Sequence, residues 1–127
     1  MTPLRFYQLE KCGTCKRAVQ FLKRNQIAFV SIPIRETPPT KAEVQDMLQA
    51  VGGNLRKLFN TSGLEYKRLQ LKDKLGNFTT EQAIDLLASN GSLVKRPFLF
   101  VGTRGLIGFD EKAWSEPTVP WPRQLSP

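Results

Sequence analysis

At 127 residues, with 40% hydrophobic and 24% charged positions, the chain has the size and composition of one globular domain that buries a core without cross-links, which excludes wholesale disorder. No apolar run approaches the roughly 20 residues of a membrane span, and the residues after Met1 lack an apolar stretch with a small-residue cleavage site, so a cytoplasmic location away from membranes is expected. The 19 basic residues outnumber the 11 acidic ones for a net charge of +8, but they are scattered from Arg5 to Arg123, so direct nucleic-acid binding is not expected.

Residues 4–9 partly alternate and predict a first strand, and residues 14–25 predict a helix with Cys15, Ala18, Val19 and Leu22 on one stripe. Residues 28–34 follow as a second strand, with Val30, Ile32 and Ile34 on one face. Pro38-Pro39 breaks the chain, and Thr40-Lys41-Ala42-Glu43 opens a helix with a capping box. Val44, Met47, Leu48 and Val51 form its stripe, and Gly52-Gly53 closes it. A helical turn is expected over residues 55–59. Thr79-Thr80-Glu81-Gln82 caps a further helix carrying Ala83, Leu86 and Leu87, which Asn90-Gly91 ends.

Phe98, Leu99, Phe100 and Val101 form a wholly apolar strand suited to a sheet centre, and residues 106–108 are placed to pair with it. Asp110 caps a last short helix through Trp114. From Ser115 onward, prolines 117, 120, 122 and 127 mark an extended or disordered tail that Trp121 is placed to pin. A strand–helix–strand start implies a parallel pair with a right-handed crossover. The fold class is therefore α/β, a small mixed sheet flanked by helices.

The chain holds two cysteines and no histidine. That removes the commonest general base and any Cys–His dyad, and a closed four-ligand zinc site cannot be built within one chain, so no metal is expected. Cys12-Gly13-Thr14-Cys15 sits between the first strand and the first helix. Free N–H groups and the helix dipole favour a thiolate at Cys12 there, and Lys11, Lys16 and Arg17 add positive field. Cys15, on the apolar stripe, is expected to be more buried and less ionised. One accessible acidic thiol and one sheltered thiol are what a nucleophile and a resolving cysteine require. Half of a zinc site completed by a second chain, or two ordinary core cysteines, remain the other readings of this pair; its place at a strand-to-helix turn favours redox chemistry.

Lys95-Arg96-Pro97 directly precedes the apolar strand. Proline at the head of a central strand is unusual, and a cis Arg96–Pro97 bond would accommodate it; from these residues alone an ordinary trans bond is the commoner expectation.

With these pieces in this order, the chain resembles the arsenate reductase (ArsC)/Spx family of thioredoxin-like proteins. The resemblance rests on Lys11-Cys12-Gly13-Thr14-Cys15-Lys16-Arg17-Ala18, Leu58-Phe59-Asn60-Thr61-Ser62-Gly63, Leu71-Lys72-Asp73-Lys74-Leu75, Leu93-Val94-Lys95-Arg96-Pro97 and Gly108-Phe109. It lies nearest the uncharacterised Spx-like branch, in which the second cysteine is characteristic.

The resemblance implies a thioredoxin-like domain over residues 1–115, with a helical insertion at about 36–92 and a separate proline-rich tail over 116–127. It further implies a cis Pro97 facing the thiols and Arg96 beside the active cysteine. Asn60 falls in an anion-binding segment where the arsenate-reducing branch carries an arginine, so arsenate turnover is expected to be weak or absent. The function implied is a thiol–disulfide oxidoreductase using a Cys12–Cys15 redox pair. It needs no bound cofactor but an external thiol reductant, such as glutathione with glutaredoxin, or thioredoxin. The alternative is an Spx-like regulator whose Cys12–Cys15 switch controls docking on the RNA polymerase alpha subunit.

Overall fold

The computed structural model describes residues 3–122, and these divide into two compact units. One comprises the described residues up to Ile32 and from Arg96 onward; the other is Pro33–Lys95. Among the described residues no helix is long and apolar enough to cross a membrane.

The first unit is built on a mixed sheet of β1 (Leu4–Gln8), β2 (Phe29–Pro33), β3 (Phe98–Val101) and β4 (Arg104–Ile107), in the order β2-β1-β3-β4. β3 runs antiparallel to both neighbours, with Tyr7 opposite Phe98 on one side and Leu99 opposite Leu106 on the other. Phe6 and Tyr7 point to opposite faces because strand side chains alternate, and both are buried, so β1 is covered on both sides.

Helix α1 (Gly13–Arg24) lays Ala18, Phe21 and Leu22 into a core with Phe6, Leu99, Val101 and Trp114. The expected stripe holds at Cys15, Ala18 and Leu22; Val19 is only half-buried, and Phe21 takes the remaining buried position. Val30 departs from its expected place with Ile32 and Ile34: it is 50% exposed. β2 lies at the sheet edge, where cover runs out part-way along the strand.

α6 (Glu111–Trp114) is capped by Asp110 as its sequence predicts, the Asp110 carboxylate accepting the Lys112 N–H at 3.1 Å. Beyond it Val119 is buried, and the Trp121 Nε1–H donates to the Trp114 carbonyl at 2.8 Å. Residues 123–127 of the proline-rich tail lie outside the described residues.

In the second unit α2 (Lys41–Ala50) packs against α5 (Thr80–Ser89). Each opens with a complete capping box: Thr40 with Glu43, Thr79 with Gln82. The chain leaves α2 through Gly52 and Gly53 at φ +69° and +82°, the left-handed region that glycine enters without steric cost. A 3-10 turn at Leu55–Leu58 matches the expected helical turn. α3 (Leu64–Arg68) and α4 (Leu71–Lys74), joined through a left-handed Gln70, were not predicted, because helices of five and four residues are too short to display a period.

Gly91 sets the closest approach in this unit. A Cβ there would lie 1.8 Å from the Ile34 carbonyl oxygen and 2.7 Å from its carbon, both backbone atoms. At Gly76 a Cβ would meet nothing within 4 Å. Gly91→Ala is therefore expected to cost about 3 kcal/mol through overpacking, while Gly76→Ala leaves stability unchanged or slightly raised. Urea unfolding of the two variants checks this; equal midpoints would contradict the close approach at Gly91.

Candidate functional site

The chain turns sharply after β1. The Cys12 N–H donates to the Leu9 carbonyl at 3.0 Å, and the Cys12 carbonyl accepts the Lys16 N–H at 3.0 Å, the first turn of α1. Cys12 is thus the N-cap, with φ −84° and ψ 121°, and its Sγ accepts the Cys15 backbone N–H at 3.4 Å. Sulfur here does the work that a serine or aspartate oxygen usually does at a helix start. Thr14 holds Arg17 against the same turn, its Oγ1 accepting from the guanidinium at 3.3 Å.

The two thiols have opposite surroundings. Cys12 is half-buried and Cys15 fully buried. Partial burial by itself pushes the Cys12 thiol up. The Cys15 backbone N–H, the Cys15 thiol, the Arg96 charge and the Thr14 N–H together outweigh it, so Cys12 sits below the usual thiol value. Cys15 is pushed up to about 12, chiefly by burial and then by the hydrogen bond and charge of Cys12, against a hydrogen bond from the Leu9 backbone and the charge of Arg96. Arg96 therefore acts electrostatically on both sulfurs.

The Arg96–Pro97 bond is cis, as the resemblance implies and against the commoner trans expectation from the residues alone. Pro97 is buried, and its carbonyl accepts the Gly108 N–H at 2.8 Å, which continues the β3–β4 pairing by one step. Cys12, Cys15, Arg96 and Pro97 all belong to the first unit.

Asn60 is held in the second unit. Its N–H donates to the Leu93 carbonyl at 2.7 Å and its carbonyl accepts the Gly63 N–H at 3.0 Å. Its side-chain oxygen accepts from Ser62 Oγ at 3.4 Å, and a Cβ on Gly63 would come within 2.5 Å of its amide nitrogen. Asn60 is thus folded into its own turn. The Leu9 backbone contact to Cys15 was beyond sequence reasoning, since any residue type supplies it. Among the described residues no group of three or more Cys, Asp and Glu side chains could hold a metal ion.

The sequence pattern of the ArsC family matches residues 7–116. The chain belongs to this family. It is 40% identical over 113 residues to YusI of Bacillus subtilis, covering 89% of this chain and 96% of that one. It is 25% identical to the global transcriptional regulator Spx of Streptococcus agalactiae, over 79% of this chain and 72% of the regulator. The arsenate reductase of Escherichia coli K12 is 26% identical, over 82% of this chain and 74% of the reductase. Among solved structures, an ArsC-family related protein from Bacteroides fragilis superposes with a TM-score of 0.83 at 38% identity, covering 89% of this chain and 95% of that one. The thioredoxin-like α/β fold implied by the sequence is the fold of this ArsC-family member.

The cap geometry yields a direct expectation. In Cys15→Ser the backbone N–H to Cys12 persists, so the Cys12 thiolate should form with a midpoint below the about 8.5 of a free cysteine, and alkylation should accelerate as pH rises through it. Removing the guanidinium in Arg96→Ala should move that midpoint upward. Iodoacetamide rates across a pH series measure both, and a midpoint at the free-cysteine value would refute the activation.

Proposed function

We propose that the protein is a thiol–disulfide oxidoreductase in which Cys12 is the nucleophile and Cys15 the resolving thiol. The observation that carries this reading is the pairing of a half-buried thiol, held below its usual pKa at a helix N-cap, with a buried one pushed up to about 12. The Cys12 thiolate attacks one sulfur of a substrate disulfide; the other sulfur leaves as a thiolate and takes a proton. In the resulting mixed disulfide Cys12 is neutral, so the charge and hydrogen bond that raised Cys15 are gone. Cys15 then attacks Cys12 Sγ, closing a Cys12–Cys15 disulfide, and its proton ends on the second substrate sulfur, which leaves as a thiol. The substrate gains two electrons and two protons, and an external dithiol or two monothiols restore the pair. Arg96 stabilises the thiolate by charge.

Alkylation mass spectrometry across a redox titration tests the proposal. Both thiols should disappear together and return on reduction. Cys12→Ser should abolish exchange, and Cys15→Ser should stop at a trapped mixed disulfide. Two thiols that stay free under strong oxidant would overturn it.

Two narrower readings of the same site are separable. The likeness to arsenate reductase suggests an arsenic oxyanion as substrate, but the resemblance aligns Asn60 with a position where the arsenate-reducing branch carries an arginine, and an amide does not replace a guanidinium fork. Arsenate turnover with glutathione and glutaredoxin should therefore be weak or absent; efficient turnover by the unaltered protein would reverse this. The likeness to Spx favours a redox-switched regulator as the second reading. Thiol-dependent capture of the RNA polymerase alpha subunit, without turnover of any disulfide, would establish that reading over the first.

A further inference from the structure

One face of α1 is left over by the core. Gly13, Arg17, Gln20 and Arg24 recur at i, i+4, i+7 and i+11, so they share one stripe, and all of them are exposed. Arg17, Gln20 and Arg24 line an open groove of about 420 Å³ together with Phe109, Asp110 and Glu111, all within the thiol-bearing unit. The stripe thus starts at the residue after Cys12 and follows the helix away from it. The exchange chemistry proposed above makes no use of this groove.

Its floor is apolar and fixed: Phe109 is half-buried, its ring edge-on to Trp114 with centroids 4.7 Å apart and to Phe21 at 5.9 Å. The carboxylates in its lining are engaged. Glu111 is ion-paired with Arg24, and Asp110 accepts the Lys112 N–H at 3.1 Å. The charge of Arg17 is not: among the described residues no carboxylate pairs with it, and its Nη2 donates to the neutral Thr14 hydroxyl at 3.3 Å. That bond turns the side chain back towards the start of the helix. A Cβ built on Gly13 would lie 3.8 Å from Arg17 Nη1, so the guanidinium stands beside the residue that follows Cys12. Lys11 and Lys16, exposed on either side of Cys12 in the sequence, likewise have no carboxylate partner among the described residues; Glu10 is the one acidic residue of that stretch.

We propose that this groove seats the chain flanking the reactive cysteine of a polypeptide substrate, and that Arg17 selects substrates with an aspartate or glutamate one or two residues from that cysteine. The proposal rests on the oxidoreductase reading and names the substrate class of the same site. Length favours a polypeptide: the helix from Gly13 to Arg24 rises about 16 Å, which about five extended residues span. A small-molecule disulfide would occupy only the end beside Cys12. The carboxylate belongs next to the cysteine because Arg17 reaches back to Gly13, where it meets an anion as a planar fork. Gly13 itself puts no side chain in the way of an approaching backbone, and Phe109 offers its ring to an apolar side chain further along.

The test takes the reduced full chain and synthetic pentapeptides that differ only in the residue beside a central cysteine: Asp, Asn or Lys. Each cysteine carries thionitrobenzoate in a mixed disulfide. Cys12 Sγ bonds to the peptide sulfur as thionitrobenzoate leaves as a coloured thiolate; Cys15 then closes the Cys12–Cys15 disulfide and the peptide departs as a thiol. Each rate is divided by that of the same peptide with dithiothreitol, which removes the peptide's own reactivity. The Asp peptide should react about threefold or more faster than the Asn peptide, and the Lys peptide more slowly. The advantage should shrink at about 1 M salt, where charges are screened within about 3 Å. In Arg17→Gln the Asp-to-Asn ratio should fall to about one, and in Arg17→Glu the Lys peptide should become the fastest. Ratios within one variant cancel any change in the Cys12 thiol. Equal rates for the peptides, an unchanged ratio in Arg17→Gln, or an equally fast reaction of N-acetylcysteine amide carrying thionitrobenzoate would overturn the proposal and leave the oxidoreductase reading in place. Rates no higher than those of free cysteine with every peptide would overturn both.

Discussion

A single hydrogen bond organises the thiol-bearing unit: the Cys15 N–H pointing at the Cys12 sulfur. It exists only if the helix starts at Gly13, and a twelve-residue helix in isolation is marginal in water. What holds the start in register is burial further along, where Ala18, Phe21 and Leu22 press on Phe6, Leu99 and Val101. Apolar packing in the middle of α1 therefore sets the electrostatics at its end. The sulfur gains its charge preference from a backbone group whose position the core dictates.

The same helix explains why two cysteines three residues apart behave so differently. One stands outside the first turn and the other inside it, on the stripe that enters the core. Each raises or lowers the other, and both feel Arg96. Burial keeps the inner thiol protonated while the outer one, at the helix cap, favours the charged form, which is the condition for one thiol to attack while the other waits.

What could be read before the structure was known tracks the range of the interactions concerned. α1, α2 and α5 carry their own stripes and caps, so Thr40 with Glu43 and Thr79 with Gln82 announced two helix starts from four residues each. The cysteine pair was legible for the same local reason. Val30 was misplaced because its exposure follows from β2 lying at the sheet edge, a non-local fact. α3 and α4 were invisible through brevity. The cis bond before Phe98 came from resemblance and not from the residues, whose ordinary reading is trans.

The aromatic packing behind α1 has an optical consequence. The chain has two tryptophans, and both belong to the first unit: Trp114 is buried and Trp121 tilts against it with ring centroids 5.6 Å apart. Phe21 and Phe109 complete the cluster around them. Tryptophan emission is therefore a private reporter of the unit that bears the thiols. The Pro33–Lys95 unit, whose chromophores are Tyr66 and its phenylalanines, is nearly silent at that wavelength. A spectroscopist can follow the state of one half of this chain without labelling either.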